Sequence, residues 1–416
     1  MSANRVPQLV LSFLYAIFFL SLAFTFRAIS SISIGLLIIA TLVFHRRLNR
    51  PFSPSFFLHP FLLGCLALFI SLAASVLVHR LPFSQLERHA GLVLAPLAWA
   101  GSHSLDKSAR RKIALFFILA TAASALVCLA AALIRFLQTG EGNPFFYHQL
   151  VSPLDGHAVY QSATVVTAIW LLQEKEMAAA LSNTSRLWLR WLLIVFLLLL
   201  ASKLFIAALA AYFLLALFSV VGKRKKLKQR EWGIGLIIAV ALTLFLVLAK
   251  PIRERFADLR QTDLQVLSQA RFDPGMYFNS VQFRLLQWRL TPELLSANHA
   301  WWTGVGPGRA QDLLDEKYRS LQMYRGDPVL GLQGYPGYNT HNQFLESLLQ
   351  AGIPGLLSLL LACFGLIRSA IRRRNRAFSS LVVVSLAWFF TESVLQRQYG
   401  ILLFTLLPLY HWFDEN

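Results

Sequence analysis

The run LLLLASKLFIAAL at residues 197–209 decides the class of fold, because Lys203 is its only charged residue. The apolar sequence continues on both sides and is long enough for two segments, near 187–202 and 203–221. A helix that crosses a membrane needs about 20 predominantly apolar residues. The run therefore predicts two adjacent membrane spans, joined by a tight turn that contains Lys203.

The composition of the whole chain supports the same class. Of its 416 residues 56% are hydrophobic and only 14% are charged, whereas soluble domains carry about 25% charged residues. Similar apolar segments lie near 8–26, 29–44, 56–78, 88–103, 112–136, 157–173, 232–250, 342–368, 378–395 and 399–413. We therefore predict an all-α, polytopic integral membrane protein with about twelve transmembrane helices.

Basic clusters in the short connections predict the orientation. HRRLNR (45–50), DKSARRK (106–112), KRKKLKQR (223–230) and RSAIRRRNR (368–376) fall on one side when the predicted spans alternate. Lys and Arg are enriched in cytoplasmic loops, so this side is predicted to be cytoplasmic. The net charge of +19 then meets anionic membrane lipids, and no nucleic acid is expected as a partner.

This orientation places the long segment 251–341 outside the membrane, in the periplasm of a Gram-negative cell. The predicted organisation is an N-terminal transmembrane bundle at 1–250 with about nine spans, a periplasmic loop domain at 251–341, and C-terminal transmembrane helices at 342–416. SVQFRLLQWRLTPELL (280–295) and RAQDLLDEKYRSLQMY (309–324) have the spacing of amphipathic helices, with Leu285, Trp288 and Leu295 on one apolar face.

Polar residues from distant parts of the chain gather at the outer level of this topology. They are Arg88, Lys203, Arg284, His341, Asn342, Glu392, Arg397 and Gln398. Each has a structural alternative: Lys203 could extend to the lipid head groups, and Glu392 could neutralise a buried arginine. Because ionisable groups at membrane depth are costly and usually functional, their common level indicates a site.

A site with two or three cations beside one histidine has the groups that one specific type of reaction requires. Arginine binds phosphate oxygens through two parallel N–H groups, and lysine acts as a point charge. A histidine can accept the proton of an alcohol. The set therefore predicts transfer of a glycan from a lipid diphosphate to a hydroxyl group, with Tyr335 and Tyr338 as candidates for stacking on sugars. No metal or other cofactor is expected, because no acidic pair or His/Cys cluster has ligand spacing.

Five motifs resemble those of the O-antigen ligase and polymerase superfamily. They are SK at 202–203, Arg284 with Trp288, WWTGVGPG at 301–308, THNQFLESLLQAGIPG at 340–355 and TESVLQRQYG at 391–400. Within the superfamily the sequence is most similar to the O-antigen ligases, mainly through TESVLQRQYG.

The resemblance implies a membrane-embedded, C-type glycosyltransferase that is inverting and independent of metal. Its donor would be O-antigen on undecaprenyl diphosphate, and its acceptor a core-sugar hydroxyl of lipid A-core, at the periplasmic face of the bacterial inner membrane. His341 matches the family's essential histidine, and Arg284 matches the arginine of the loop helix. Lys203 stands where the family usually has arginine. Arg397, Arg88 and Gln398 are further candidates for phosphate or sugar contacts, and Asn342 for orienting His341.

Three alternatives remain open at the level of sequence. An O-antigen polymerase would share the donor and use a second lipid-linked glycan as acceptor. A protein O-oligosaccharyltransferase would modify serine or threonine of an exported protein. A transporter or flippase of lipid-linked glycans would place charged groups near the bilayer midplane, whereas these groups are predicted at one face.

Overall fold

Helices make up most of the structure, a computed structural model that describes residues 5–48, 52, 54–211, 264–327 and 332–407. In chain order they are α1 (Arg5–Ala23), α2 (Arg27–Val43), α3 (Pro54–Phe57), α4 (Pro60–Val78), α5 (Gly91–Ala100), α6 (Lys107–Thr139), α7 (Tyr147–Leu150), α8 (Ala158–Leu171), α9 (Lys175–Ala180), α10 (Asn183–Leu199), α11 (203–211), α12 (Ser280–Ala297), α13 (Pro307–Ser320), α14 (Gln343–Arg373), α15 (Arg376–Thr391) and α16 (Gln398–Leu406). Two short strands, β1 (Gly326–Asp327) and β2 (Leu332–Gln333), form an antiparallel pair.

The apolar helices agree with a multi-pass membrane protein. Among the described residues α1, α4, α6 and α14 are long and apolar enough to cross a membrane, and α2, α8 and α15 are shorter apolar helices. The mostly helical fold is confirmed. The number of about twelve spans stays a prediction, and the predicted span 232–250 lies outside the described residues. The same holds for residues 251–263 at the predicted start of the loop domain.

Close packing of α4 against α14 organises the bundle. A Cβ atom at Gly64 would collide with the backbone of Ala362, and one at Gly365 would collide with the backbone of Phe61. Small residues at helix crossings allow backbones in a membrane to approach closely, so that packing rather than hydrophobic burial holds them together. These two glycines therefore fix where the long helix α14 crosses the bundle.

The outer segment has an apolar cluster of its own. Side chains of α12 and α13 build it, and Leu348 and Leu349 of α14 join it. Both predicted amphipathic helices are present. The predicted apolar face of α12 is partly wrong, because Leu285 and Trp288 are only half-buried while Leu295 is buried. The buried stripe instead includes Phe283, Leu286, Leu290 and Leu294, since α13 and α14 pack on that side.

The helix α14 is interrupted within its length. Gly352 adopts φ 67° and ψ −164°, a non-helical conformation that glycine tolerates without steric penalty. Pro354 follows and has no N–H group to donate to the carbonyl of Gln350. The carbonyl oxygens of Leu349 and Gln350 therefore have no partner within the helix at this break.

The motif WWTGVGPG supplies those partners. The N–H groups of Val305 and Gly306 donate to the carbonyls of Leu349 and Gln350 at 2.8 and 3.0 Å. In the reverse direction the N–H of Ile353 donates to the carbonyl of Trp301 at 2.8 Å. Buried backbone groups must be paired in this way, particularly at membrane depth. The glycine-rich motif is thus a structural turn that fastens the outer segment to the broken helix.

Candidate active site

His341 lies in the last turn of the outer segment, two residues before α14. Its φ angle is 45°, a left-handed conformation that is uncommon for residues other than glycine. The side chain of Asn342 accepts hydrogen bonds from the N–H groups of Phe344 and Leu345 at 2.9 and 3.1 Å. Asn342 is therefore the N-cap of α14. The prediction that it orients His341 is not supported by these bonds.

The partners of the His341 ring come from other residues. Its Nδ1 lies 3.2 Å from Oε1 of Gln287 and 3.1 Å from the carbonyl oxygen of Asn339. The rings of Phe283 and Tyr338 lie beside it, with centroids at 6.2 and 5.6 Å. The imidazole is thus held at one nitrogen and enclosed by aromatic rings, with Tyr338 next to it as a side wall.

The two cations that were predicted to bind the diphosphate meet at Ser280, the first residue of α12. Lys203 Nζ donates to Ser280 Oγ at 3.2 Å, and Arg284 Nη1 donates to the carbonyl oxygen of Ser280 at 2.9 Å. A tight turn with Ala201 at φ 49° brings Lys203 to the start of α11. Ser280, Arg284 and Gln287 follow one another at helical spacing along α12, so the cations and the histidine share one face of this helix.

Glu392 is bonded to Arg284. Oε1 of Glu392 accepts from Nη2 of Arg284 at 3.1 Å, and the carbonyl of Thr391 accepts from Nε at 3.1 Å. The sequence indicated an arginine as the partner of Glu392 and did not identify which one. The structure gives that place to Arg284, because α12 docks against the turn after α15. The guanidinium is consequently oriented before any substrate binds.

Arg88 and Arg397 lie at a separate polar cavity of about 270 Å³. Its lining includes Arg88, Arg397, Gln311, Gln396, Asn339 and Glu346. Both arginine residues are exposed, and the guanidinium of Arg397 also lies over the ring of Tyr160 at 5.7 Å. Asn339 connects this cavity to the site, since its carbonyl oxygen contacts the His341 ring. Gln398 is directed elsewhere, because its Nε2 donates to Ser31 Oγ of α2 at 2.6 Å.

A buried carboxylate supports the loop that carries His341. Oε2 of Glu346 accepts from the N–H and the hydroxyl of Thr340 at 3.2 and 2.7 Å, and from the hydroxyl of Ser393 at 3.3 Å. Oε1 accepts from Gln350 Nε2 at 2.6 Å. The sequence reading missed this residue, although it is the only acidic residue in the predicted span 342–368. A single carboxylate within an apolar span was the feature of the sequence that could have identified this residue.

The electrostatic surroundings keep His341 neutral. Burial lowers the pKa of His341 below its ordinary value of 6.5; the carboxylate of Glu392 opposes this effect, and the charges of Arg284 and Arg397 add to it. An imidazole with this pKa is unprotonated at pH 7 and can accept a proton. The ring therefore has the protonation state that a general base requires.

One acidic residue of the outer segment, Asp315, has a structural role. Its Oδ1 accepts from the N–H of Gly337 and from Gln311 Nε2, each at 2.8 Å. It thereby fixes the turn that precedes His341. Within the described ranges no three or more His, Cys, Asp or Glu side chains come together as metal ligands.

Residues 188–360 match a family model described as O-antigen ligase. This match supports membership of the O-antigen ligase superfamily. A search among curated proteins found no match. Membership indicates an enzyme of the O-antigen ligase or polymerase type, a glycosyltransferase-like class that acts on lipid-linked glycans.

The segment that matches the O-antigen ligase family contains Lys203, Arg284 and His341. It therefore includes α12 with its bonded cations, the outer segment and the break in α14. Arg88, Glu392, Arg397 and Gln398 lie outside the matched residues. Glu392 and Arg397 nevertheless act on the pKa of His341 together with Arg284, so the bundle also contributes to the site.

Proposed function

We propose that the protein is an O-antigen ligase of the bacterial inner membrane, with its site facing the periplasm. It transfers O-antigen from undecaprenyl diphosphate to a core-sugar hydroxyl of lipid A-core, with inversion and without a metal. The observation that carries the proposal is the meeting of Lys203 and Arg284 at Ser280, on the helix face that also contacts His341 through Gln287.

His341 acts as the general base. Its ring takes the proton of the acceptor hydroxyl while the hydroxyl oxygen forms a bond to the anomeric carbon of the donor sugar. The bond between that carbon and the diphosphate oxygen breaks on the opposite face, and the diphosphate leaves with the electron pair. Attack opposite to the leaving group inverts the anomeric configuration. The low pKa of the ring supports this role, because a neutral imidazole is present at pH 7.

The cations stabilise the charge that develops on the leaving diphosphate. Lys203 at the start of α11 and Arg284 of α12 bind it beside Ser280, where Glu392 has already oriented the guanidinium. Fixed donors of this kind lower a barrier because they need no rearrangement during the reaction. Arg88 and Arg397 contact the phosphate or an adjoining sugar from the polar cavity beside Asn339.

An O-antigen polymerase is the second candidate, because the family match supports ligase- or polymerase-type activity and leaves the acceptor undetermined. A protein O-oligosaccharyltransferase is a third candidate for the same reason. Purified protein is reconstituted with the lipid-linked glycan in three separate assays. The acceptor is lipid A-core in the first, a second lipid-linked repeat in the second and an acceptor peptide in the third. We expect transfer to lipid A-core; transfer to either other acceptor instead would assign the corresponding alternative.

The variant His341→Ala tests the assigned base in the same assay. We expect it to insert into the membrane and to lose transfer. His299→Ala is the matched control, because His299 is an exposed histidine in the same outer segment and should leave transfer unchanged. Normal transfer by His341→Ala, or a requirement of the wild type for a divalent metal, would contradict the proposed mechanism.

A further inference from the structure

A chain of hydrogen bonds runs from Tyr338 through Tyr318 and Gln287 to the His341 ring. The donor and the acceptor of each bond can be assigned in turn, starting at Tyr338. The carbonyl oxygen of Tyr338 can only accept, and the hydroxyl of Tyr318 lies 3.0 Å from it. A hydroxyl has a single proton. The Tyr318 oxygen therefore has to accept the hydrogen bond that joins it to Gln287 Nε2 at 3.1 Å.

This requirement fixes the amide of Gln287. Its NH₂ group donates to the Tyr318 oxygen and to the carbonyl oxygen of Asn339, neither of which can donate to it. The remaining atom, Oε1, faces Nδ1 of His341 at 3.2 Å. A flipped amide would place Oε1 against the carbonyl of Asn339 and leave Tyr318 without a donor. The orientation of the amide thus follows from the bonding partners.

Both neighbours of Nδ1 are therefore acceptors. They are Oε1 of Gln287 and the carbonyl oxygen of Asn339, at 3.2 and 3.1 Å. A neutral imidazole carries its proton on one nitrogen only, and the other nitrogen keeps a lone pair. A lone pair at Nδ1 would face two oxygens, so the proton resides at Nδ1 and the lone pair at Nε2.

We propose that Gln287 is a positioning residue, which selects the Nδ1-protonated tautomer of His341 and leaves Nε2 to take the proton of the acceptor hydroxyl. This inference rests on the proposed function and assigns the reacting atom within it. Gln287 is fully buried, so water does not replace any partner of its amide. Tyr318 is buried as well and anchors the far end of the chain.

The charged and titratable groups around the ring are unchanged when Gln287 alone is substituted. They are Glu392 on the turn after α15, Arg284 on α12, Arg397 before α16, His157 before α8, and the phenols of Tyr318 and Tyr338. A change in the pH profile on substitution of Gln287 therefore reports the contact at Nδ1.

The variants Gln287→Leu and Gln287→Glu test the assignment in the transfer assay. The first removes one of the two acceptors at Nδ1, and we expect kcat to fall by about tenfold or more, the effect known for partners that orient metal-ligating histidines. KM for the donor should stay unchanged. The second places a carboxylate at Nδ1, which favours the charged ring, so the acidic limb of kcat/KM should move to higher pH.

Two further variants separate positioning from a loss of structure. Thr291→Val lies one turn further along α12, and its hydroxyl bonds only the backbone of Gln287. We expect wild-type kcat for this matched control. Tyr318→Phe removes one of the two acceptors that hold the amide of Gln287, and it should give a fall in kcat with an unchanged KM for the donor even if Gln287→Leu does not fold.

The tautomer itself is read from ¹⁵N spectra of histidine-labelled enzyme at pH 7. We expect the His341 signal, identified by its loss in His341→Ala, to show protonated Nδ1 in the wild type and a mixture of tautomers in Gln287→Leu. Protonated Nε2 in the wild type, or wild-type kcat and pH profile in Gln287→Leu, would overturn the inference. If His341→Ala retains transfer, the proposed function itself fails.

Discussion

Arg284 and Glu392 form an ion pair at 3.1 Å, although 108 residues separate them in the chain. The pair joins α12 of the outer segment to the turn between α15 and α16. The carboxylate of Glu392 therefore holds the guanidinium in place before the donor binds. From the same position it raises the pKa of His341.

The substitution Glu392→Gln should change the pH dependence of transfer. Burial lowers the pKa of His341, and the Glu392 carboxylate raises it against this effect. Removing the negative charge lowers the pKa further, so the neutral base persists to lower pH. The acidic limb of kcat/KM is therefore expected to move to lower pH. Glu316→Gln, at an exposed position of α13, serves as the control and should leave the limb in place. A limb that moves to higher pH in Glu392→Gln would refute this account.

The substitution Lys203→Met should weaken binding of the donor. A charge-assisted hydrogen bond contributes about 1.5–3 kcal/mol, so KM for the donor should rise by about ten- to hundredfold. Lys203→Arg keeps the charge and should retain most of the affinity. Lys107→Met, at the exposed start of α6, is the matched control. Steady-state kinetics with varied lipid-linked glycan measure the effect. An unchanged KM in Lys203→Met would exclude the lysine from the donor site.

The substitution Gly352→Ala should destabilise the junction between the outer segment and α14. Gly352 has φ 67°, and a Cβ atom there would lie 2.5 Å from the carbonyl carbon of Trp302. The combination of φ 67° and ψ −164° is adopted essentially only by glycine, and it costs alanine about 1–3 kcal/mol. Gly35→Ala is the matched control, because a Cβ at Gly35 in α2 meets no atom within 4 Å. Thermal unfolding in detergent should show a lower midpoint for Gly352→Ala only, and equal midpoints would contradict the role of the break.

The sequence was sufficient to predict the long apolar helices of the described residues and several polar residues that stand at their ends. Apolar runs marked α1, α4, α6 and α14, and the tight turn at Lys203 followed from one charge within such a run. His341 was recognised because a polar loop leads directly into an apolar helix. These features depend on composition and local spacing, which a single sequence displays.

The contacts of the site could not be predicted in the same way. The choice of Asn339 and Gln287, rather than Asn342, as partners of His341 depends on how α12 docks against the loop. The partner of Glu392 and the buried face of α12 depend on the same docking. Side chains such as Glu346 and Gln287 have no distinctive spacing, because their roles arise from neighbours that are distant in the chain.

The break at Gly352 separates the first turns of α14, which directly follow His341, from the rest of that helix. Residues 343–351 precede it, and Leu348 and Leu349 within them pack into the outer apolar cluster, whereas Ala362 and Cys363 beyond it pack into the bundle. The outer segment is bonded on both sides of this break, through the carbonyls of Leu349 and Gln350 before it and the N–H of Ile353 beyond it. The support of the imidazole therefore comes from the outer segment and does not depend on an uninterrupted α14.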